Sequence, residues 1–208
     1  MSKTFEVYPR SSKVPSFQEL VELGTKRLHQ QLAARGISSC PQLIATLRAS
    51  GTHERLPLDA LSPVTWGAAE YLWLSVDGVL GGTDVTCEQI SGDDLEYWED
   101  VLSEHPPAIA LRDDVRQCLA SGVYWSFRRS AGQPAIINFA YGILAAALAE
   151  LTEGFVYSDD AAWDYERFPA KPGEFYEWYF DPEQAIDPDF AKWARDCMAA
   201  IANDAIRT

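Results

Sequence analysis

Residues 134–154 read PAIINFAYGILAAALAELTEG, which is the most hydrophobic stretch of the chain. Pro134 is a residue that helices accept at their start, and Gly154 is one that commonly ends them. Between these two residues, the apolar side chains would occupy every side of a helix rather than a single stripe. The stretch therefore predicts a central helix that other elements cover on several sides.

Further helices are predicted on both sides of this stretch. Ser16 and Glu19 match the S-x-x-E capping box, and apolar residues keep helical spacing up to Gly36, which predicts a helix over 17–35. Shorter helices are predicted in GDDLEYWEDVLSEHPP, which the two prolines end, in RDDVRQCLASG and near 172–180. A last helix is predicted from Asp187-Pro188, with Phe190, Trp193, Ala194, Cys197, Met198 and Ile201 on one face.

Strands are predicted at TFEVY, FVYS and VYWSFRR, and in VYWSFRR the alternation of Val123, Trp125 and Phe127 would turn these three side chains to the core. PQLIATLRASG fits either a short helix or a strand. The segment that begins at Ser62-Pro63 carries a helix-start signal, followed by LWLSV and TDVTCEQI, which are typical of strands around a glycine-rich reversal. Together these elements predict an α+β fold, with residues 1–208 forming one helix-rich globular domain around a small, mostly antiparallel sheet.

Charge is distributed unevenly along the 208 residues. The formal net charge is −14, yet residues 1–55 hold eight Lys and Arg against four Asp and Glu. Between Leu56 and Leu111 there is no Lys or Arg, whereas eleven Asp and Glu lie between Asp59 and Glu104. Such a field repels nucleic acid and speeds encounter with a basic protein, although acidity also simply favours solubility. The composition therefore indicates no nucleic-acid partner.

Cysteine and histidine residues show no metal-binding pattern. The four cysteines and three histidines are scattered, with no C-x-x-C pair, so free thiols are expected and a structural zinc site is not. The N-terminus lacks the apolar run of a signal peptide, and no stretch reaches eighteen uninterrupted apolar residues. We expect a cytoplasmic protein without a membrane partner and without a cofactor.

Residues 154–169, GFVYSDDAAWDYERFP, place four carboxylates among five aromatic residues. Asp159, Asp160, Asp164 and Glu166 are the oxygen ligands that a hard divalent cation prefers, and crowding would raise the pKa of one of them for acid–base chemistry. The run lacks the D-x-[DN]-x-[DN]-G-x5-E order of a calcium loop, and the chain has no P-loop, G-x-S-x-G or H-E-x-x-H motif. A metal site is therefore not predicted.

Carboxylates and large aromatic residues occur together again in DDLEYWED, residues 93–100, and in GEFYEWYFDPE, residues 173–183. Tryptophan and tyrosine are frequent at protein interfaces, and neighbouring carboxylates would pair with Arg or Lys of a partner. The alternative for each ring is that it anchors a loop to the core while the carboxylates face water or cap helices. If the clusters meet in space, they form one acidic, aromatic face.

YSDDAAWDYERFP followed by GEFYEWYF, together with the small size and the acidity, resembles bacterial immunity proteins, the antidotes to secreted toxins of type VI or contact-dependent systems. The resemblance covers the last third of the chain. It implies tight binding of one cognate toxin, usually by occlusion of the toxin's active site, and many such toxins are basic nucleases. The surplus of Lys and Arg in the N-terminal third departs from a uniformly acidic mimic of nucleic acid.

The leading hypothesis is a non-enzymatic immunity protein that binds and neutralises a cognate toxin with a basic surface, and the class of toxin that we expect is a nuclease. The alternatives are a small enzyme that uses the carboxylates of residues 159–166, with or without a divalent metal, and an acidic adaptor or regulator that binds an endogenous protein. The predicted partner-binding residues are Asp159, Asp160, Trp163, Asp164, Tyr165, Glu166, Asp93, Asp94, Glu96 and Trp98.

Overall fold

A computed structural model describes residues 2–207, with side chains up to residue 204. Within this range the predicted α+β fold is confirmed, with seven α-helices and one six-stranded antiparallel sheet. The strands are β1 (Lys3–Tyr8), β2 (Leu43–Ala49), β3 (Glu70–Val76), β4 (Thr83–Gln89), β5 (Val123–Arg129) and β6 (Phe155–Tyr157). The helices are α1 (Phe17–Ala34), α2 (Gly92–Glu104), α3 (Pro106–Ala110), α4 (Arg112–Leu119), α5 (Ala135–Leu151), α6 (Pro172–Trp178) and α7 (Pro188–Arg207), with a 3-10 turn at Tyr165–Arg167.

The local signals that predicted helix ends are present in the structure. Ser16 and Glu19 form the predicted capping box at the start of α1. Ser91 and Asp94 form a second capping box at the start of α2, which satisfies free backbone N–H groups of the first turn. The two prolines after α2 end it as predicted, but they also open α3, because proline is well tolerated in a first turn.

The strand order in the sheet is β2-β3-β4-β5-β1-β6. The undecided segment PQLIATLRASG forms edge strand β2, and residues 62–69 form turns rather than the helix that Ser62-Pro63 suggested. Trp125 and Phe127 face the core as predicted, while Val123 is half-buried. Both sheet edges are partly paired, β2 through Leu56 N–H to Leu47 C=O (2.9 Å) and β6 through a reciprocal bridge to Ala170. Such cover limits edge-to-edge association.

Helix α5 is the centre of the molecule, as its composition predicted. Every residue from Ile137 to Ala149 is buried, and α1, α6, α7 and β1 pack around the helix. Gly142 allows Tyr179, just after α6, to approach the helix closely, because a Cβ atom at residue 142 would lie 2.4 Å from Cζ of Tyr179. The Tyr179 hydroxyl donates a hydrogen bond to the Asn138 carbonyl at 2.9 Å, which holds the ring against the helix backbone.

The face of the sheet that lies away from α5 is covered by a helix over one half only. Trp98 of α2 is fully buried there and packs on Tyr8, Phe155 and Tyr157 of β1 and β6, with ring centroids 4.6–5.5 Å apart. Over the other half, a hollow of about 390 Å³ lies on β3, β4 and β5. In the described part of the chain, no helix is long and apolar enough to cross a membrane.

Candidate partner-binding surface

Two of the three clusters that combine carboxylates and aromatic residues meet in space. Tyr97 of α2 donates a hydrogen bond from its hydroxyl to the Asp159 carboxylate (2.9 Å), and the same hydroxyl lies 2.7 Å from that of Tyr157. Trp98 anchors α2 beside this contact by packing on Tyr157. Because these contacts join residues about sixty positions apart, α2 and the segment 157–166 present one continuous acidic surface, here called the α2–loop surface.

The predicted carboxylates take different positions on the α2–loop surface. Asp93, Glu96, Asp159 and Glu166 are exposed. Asp94 is half-buried and accepts hydrogen bonds from the Ser91 backbone N–H (2.7 Å) and hydroxyl (2.6 Å), so it stabilises the start of α2. Asp160 is also half-buried and accepts from the Ser158 hydroxyl at 3.2 Å, while its backbone carbonyl accepts from Lys3. Of the predicted carboxylates, these four exposed ones are therefore available to a partner.

Three predicted contact residues are buried, and their assignment to a partner surface was wrong. Trp98 and Trp163 are both fully buried, and Trp163 packs on Tyr179, Phe180, Phe190 and Trp193. Asp164 is 2% exposed and accepts the backbone N–H groups of Ile186 (2.8 Å) and Asp187 (2.9 Å). Burial leaves none of these side chains accessible to another protein, so they position the surface rather than form it.

The third cluster, residues 173–183, contributes mainly to the core. Its rings Phe175, Trp178, Tyr179 and Phe180 are buried against α5 and the segment 163–168. Glu174 and Glu177 are exposed, but Glu177 lines a separate hollow together with Arg35 and Arg195. The acidic, aromatic face therefore comprises two clusters, and the core-anchoring alternative describes the third.

Sequence reasoning missed a hollow along α2. Tyr97, Asp100, Val101 and Glu104 form one i, i+3, i+4, i+7 stripe of this helix and, together with His105 and Tyr165, line a hollow of about 410 Å³. The His105 imidazole stacks on the Tyr165 ring with centroids 4.2 Å apart, and its Nε2 lies 2.6 Å from the Phe168 carbonyl oxygen. Of the predicted residues, only Tyr165 lines this hollow. The helical spacing of Asp100 and Glu104 was the signal that could have found it.

Glu6 is a further feature of this region that the sequence did not indicate. It lies on the outward face of β1, between Ser126 of β5 and Tyr157 of β6, and accepts a hydrogen bond from the Tyr8 hydroxyl at 2.8 Å. Burial raises its pKa to about 7, and repulsion from Asp159, Asp94 and Asp160 adds to this against the lowering effect of the Tyr8 hydrogen bond. Burial also raises the pKa of the neighbouring Tyr124 to about 12. The pKa of Glu6 therefore depends in part on the charge of the α2–loop surface.

The four carboxylates of residues 159–166 do not converge. Asp159 contacts Tyr97, Asp160 contacts Ser158, Asp164 binds the 186–187 backbone and Glu166 is exposed. No group of three or more His, Cys, Asp or Glu side chains arranged to hold a metal ion occurs among the residues described.

The hollow on the open half of the sheet, over β3, β4 and β5, contains the ion pair of Arg128 and Asp84 and a hydrogen bond of 2.9 Å between His53 and Tyr71.

Comparison with protein-family models, with curated proteins and with solved structures gave no match. The chain's own residues are therefore the basis for any functional assignment.

Proposed function

We propose that this chain is an immunity protein that binds and neutralises a cognate secreted toxin with a basic surface, most simply a nuclease. The observation that carries the proposal is the hydrogen bond between Tyr97 and Asp159, because it joins two acidic segments into the α2–loop surface. A surface with one sign of charge would steer a basic partner, and aromatic rings beside it would supply buried contact.

The charge of the α2–loop surface is largely uncompensated within the chain. Helix α2 carries six carboxylates and no Lys or Arg. In the described range, the ion pairs involve only one of these six, Glu99, which pairs with Arg116 at 3.1 Å. Carboxylates that have no internal cation attract a basic partner over roughly a Debye length, about 8 to 10 Å, and raise the association rate.

The two alternatives receive different support from this geometry. An enzyme that uses the 159–166 carboxylates gains little, because these side chains contact separate neighbours rather than one common centre. An adaptor or regulator would use the same acidic surface as an immunity protein. The two binding hypotheses therefore differ in the identity of the partner, which an experiment can distinguish.

The test is co-expression with the secreted protein encoded beside this chain in its source genome. We expect this chain to restore growth to cells that produce the toxin domain and to co-purify with it. A control chain with Asp93, Glu96 and Asp159 changed to Lys should fold, since all three residues are exposed, but should protect less well. Absence of both growth rescue and a complex would remove the proposal, whereas capture of a housekeeping protein would favour the adaptor alternative.

A further inference from the structure

We propose that the hollow beside α2 receives an arginine side chain of the protein partner. This inference rests on the proposed function, because it specifies the partner group that the α2–loop surface would bind. The hollow is lined by Tyr97, Asp100, Val101, Glu104, His105 and Tyr165. None of these six residues is Lys or Arg, so the hollow presents two carboxylates and two tyrosines to any group that enters it.

The carboxylates have the spacing that a guanidinium group can use. Asp100 and Glu104 are four residues apart on α2, so their side chains are neighbours on the same face, about 6 Å apart at Cβ. Both residues are exposed, and neither forms an ion pair with any residue of the described chain. Their charge is therefore complementary to a cation from outside.

Tyr97, His105 and Tyr165 line the hollow as its aromatic wall. This wall favours arginine over lysine. The Tyr165 ring is half-buried and lines the hollow, and the His105 imidazole covers one of its faces with an angle of 26° between the ring planes, which leaves the other face for a planar group. A planar guanidinium stacks on such a surface and still offers several N–H donors to carboxylates, whereas an ammonium group is a compact and strongly hydrated charge. A site with both features selects the guanidinium.

The wall is also fixed before any partner arrives. The Tyr97 hydroxyl is held by Asp159 (2.9 Å) and Tyr157 (2.7 Å), and the His105 ring is held by the Phe168 carbonyl (2.6 Å). Val101 is buried and lines the hollow beside the two carboxylates. Binding would then order few of the chain's own side chains, which lowers the entropic cost of association.

The test is an NMR titration of the isotope-labelled full chain with N-acetyl-L-arginine amide, and in parallel with N-acetyl-L-lysine amide. We expect saturable shifts at residues 97–105 and 165 with the arginine probe, with a Kd several-fold lower than for the lysine probe. The double variant Asp100→Asn/Glu104→Gln should raise the arginine Kd by about tenfold, because both carboxylates are removed without a change of side-chain volume. The matched control Asp93→Asn/Glu96→Gln removes two exposed α2 carboxylates outside the hollow and should raise it less than about twofold.

Tyr165→Leu should abolish the preference for arginine, and its spectrum shows directly whether the fold persists. The inference would be overturned by any of three results. These are an equal rise of the arginine Kd in the two double variants, equal Kd values for the two probes, or the lack of any saturable shift. The outcome is separable from that of the proposed function. Growth rescue without arginine binding leaves the immunity role intact, and arginine binding without a toxin partner leaves the site intact.

Discussion

Glu6 is the residue whose chemistry links stability to pH. Its carboxyl group has a pKa of about 7 in the folded protein, whereas an exposed glutamate has a pKa of about 4.3. Between these values the folded state holds a proton that the unfolded chain has lost, so the free energy of unfolding falls as the pH rises through this window and levels off above it.

Glu6→Gln should therefore stabilise the protein at pH 8 by about 2 kcal/mol and leave it almost unchanged at pH 4, where the native carboxyl is largely protonated in both states. Glutamine also keeps an oxygen that accepts the Tyr8 hydroxyl hydrogen bond. Urea denaturation at the two pH values measures the difference. Glu166→Gln is the control, because Glu166 is exposed, and it should change stability by less than about 0.5 kcal/mol. A Glu6→Gln effect that is equal at both pH values would contradict the prediction.

Asp164 was predicted to lie on the partner surface, but it is buried and holds a backbone junction. Its buried carboxylate accepts two backbone N–H groups at 2.8 and 2.9 Å, just before α7 begins. Asp164→Ala should lower the free energy of unfolding by about 2 to 3 kcal/mol, because it removes a charged acceptor and leaves a void. Asp159→Ala, at an exposed position of the same segment, should cost less than about 1 kcal/mol in the same denaturation experiment. Similar losses for the two variants would show that Asp164 does not hold this junction.

Among the helices and strands, α5 allows the sharpest prediction about stability. Alanine normally stabilises a helix by about 1 kcal/mol relative to glycine. At Gly142 the sign should reverse, because the added methyl group would lie 2.4 Å from the buried Tyr179 ring, and we expect Gly142→Ala to cost about 2 to 3 kcal/mol. Gly173→Ala in α6 is the matched control, since nothing lies within 4 Å of the position that its methyl group would take, and it should be neutral or stabilising. Thermal melts of the two variants compare them directly, and a stabilised Gly142→Ala would contradict this packing.

The spacing of apolar residues was sufficient to predict those helices and strands whose own residues determine their secondary structure. The apolar composition of α5, the capping box of α1 and the alternation in β5 each predicted the element that formed. It was insufficient for β2, whose strand state depends on pairing with β3 twenty-seven residues away. The same limit applies to α2. Trp98 was predicted to contact a partner, but it is buried against β1 and β6, which lie far from α2 in the sequence.

For the whole molecule, composition predicted the acidity but not its distribution in space. The contact that unites the α2–loop surface, Tyr97 with Asp159, spans sixty-two positions, and no local pattern specifies such a pair. The open half of the sheet differs in character, because Arg48 stacks over Trp73 there at 4.6 Å and Arg128 pairs with Asp84. This face of the sheet is therefore acidic over the half that α2 covers and of mixed charge over the open half, which agrees with the departure from a uniformly acidic surface seen in the sequence.

This charge distribution predicts directional steering of the proposed basic partner. Changing Asp93, Glu96 and Asp159 to Lys alters the net charge by six, from −14 to −8, and changing Glu174, Glu177 and Glu183 to Lys alters it by the same amount at other exposed positions. The first variant should slow association with the proposed basic partner by about tenfold or more at low salt and flatten its salt dependence, because steering depends on the local field. The second should slow association much less, with both rates measured by stopped-flow or surface binding over a range of salt concentrations. Equal slowing by the two variants would mean that net charge, rather than the α2–loop surface, governs the encounter.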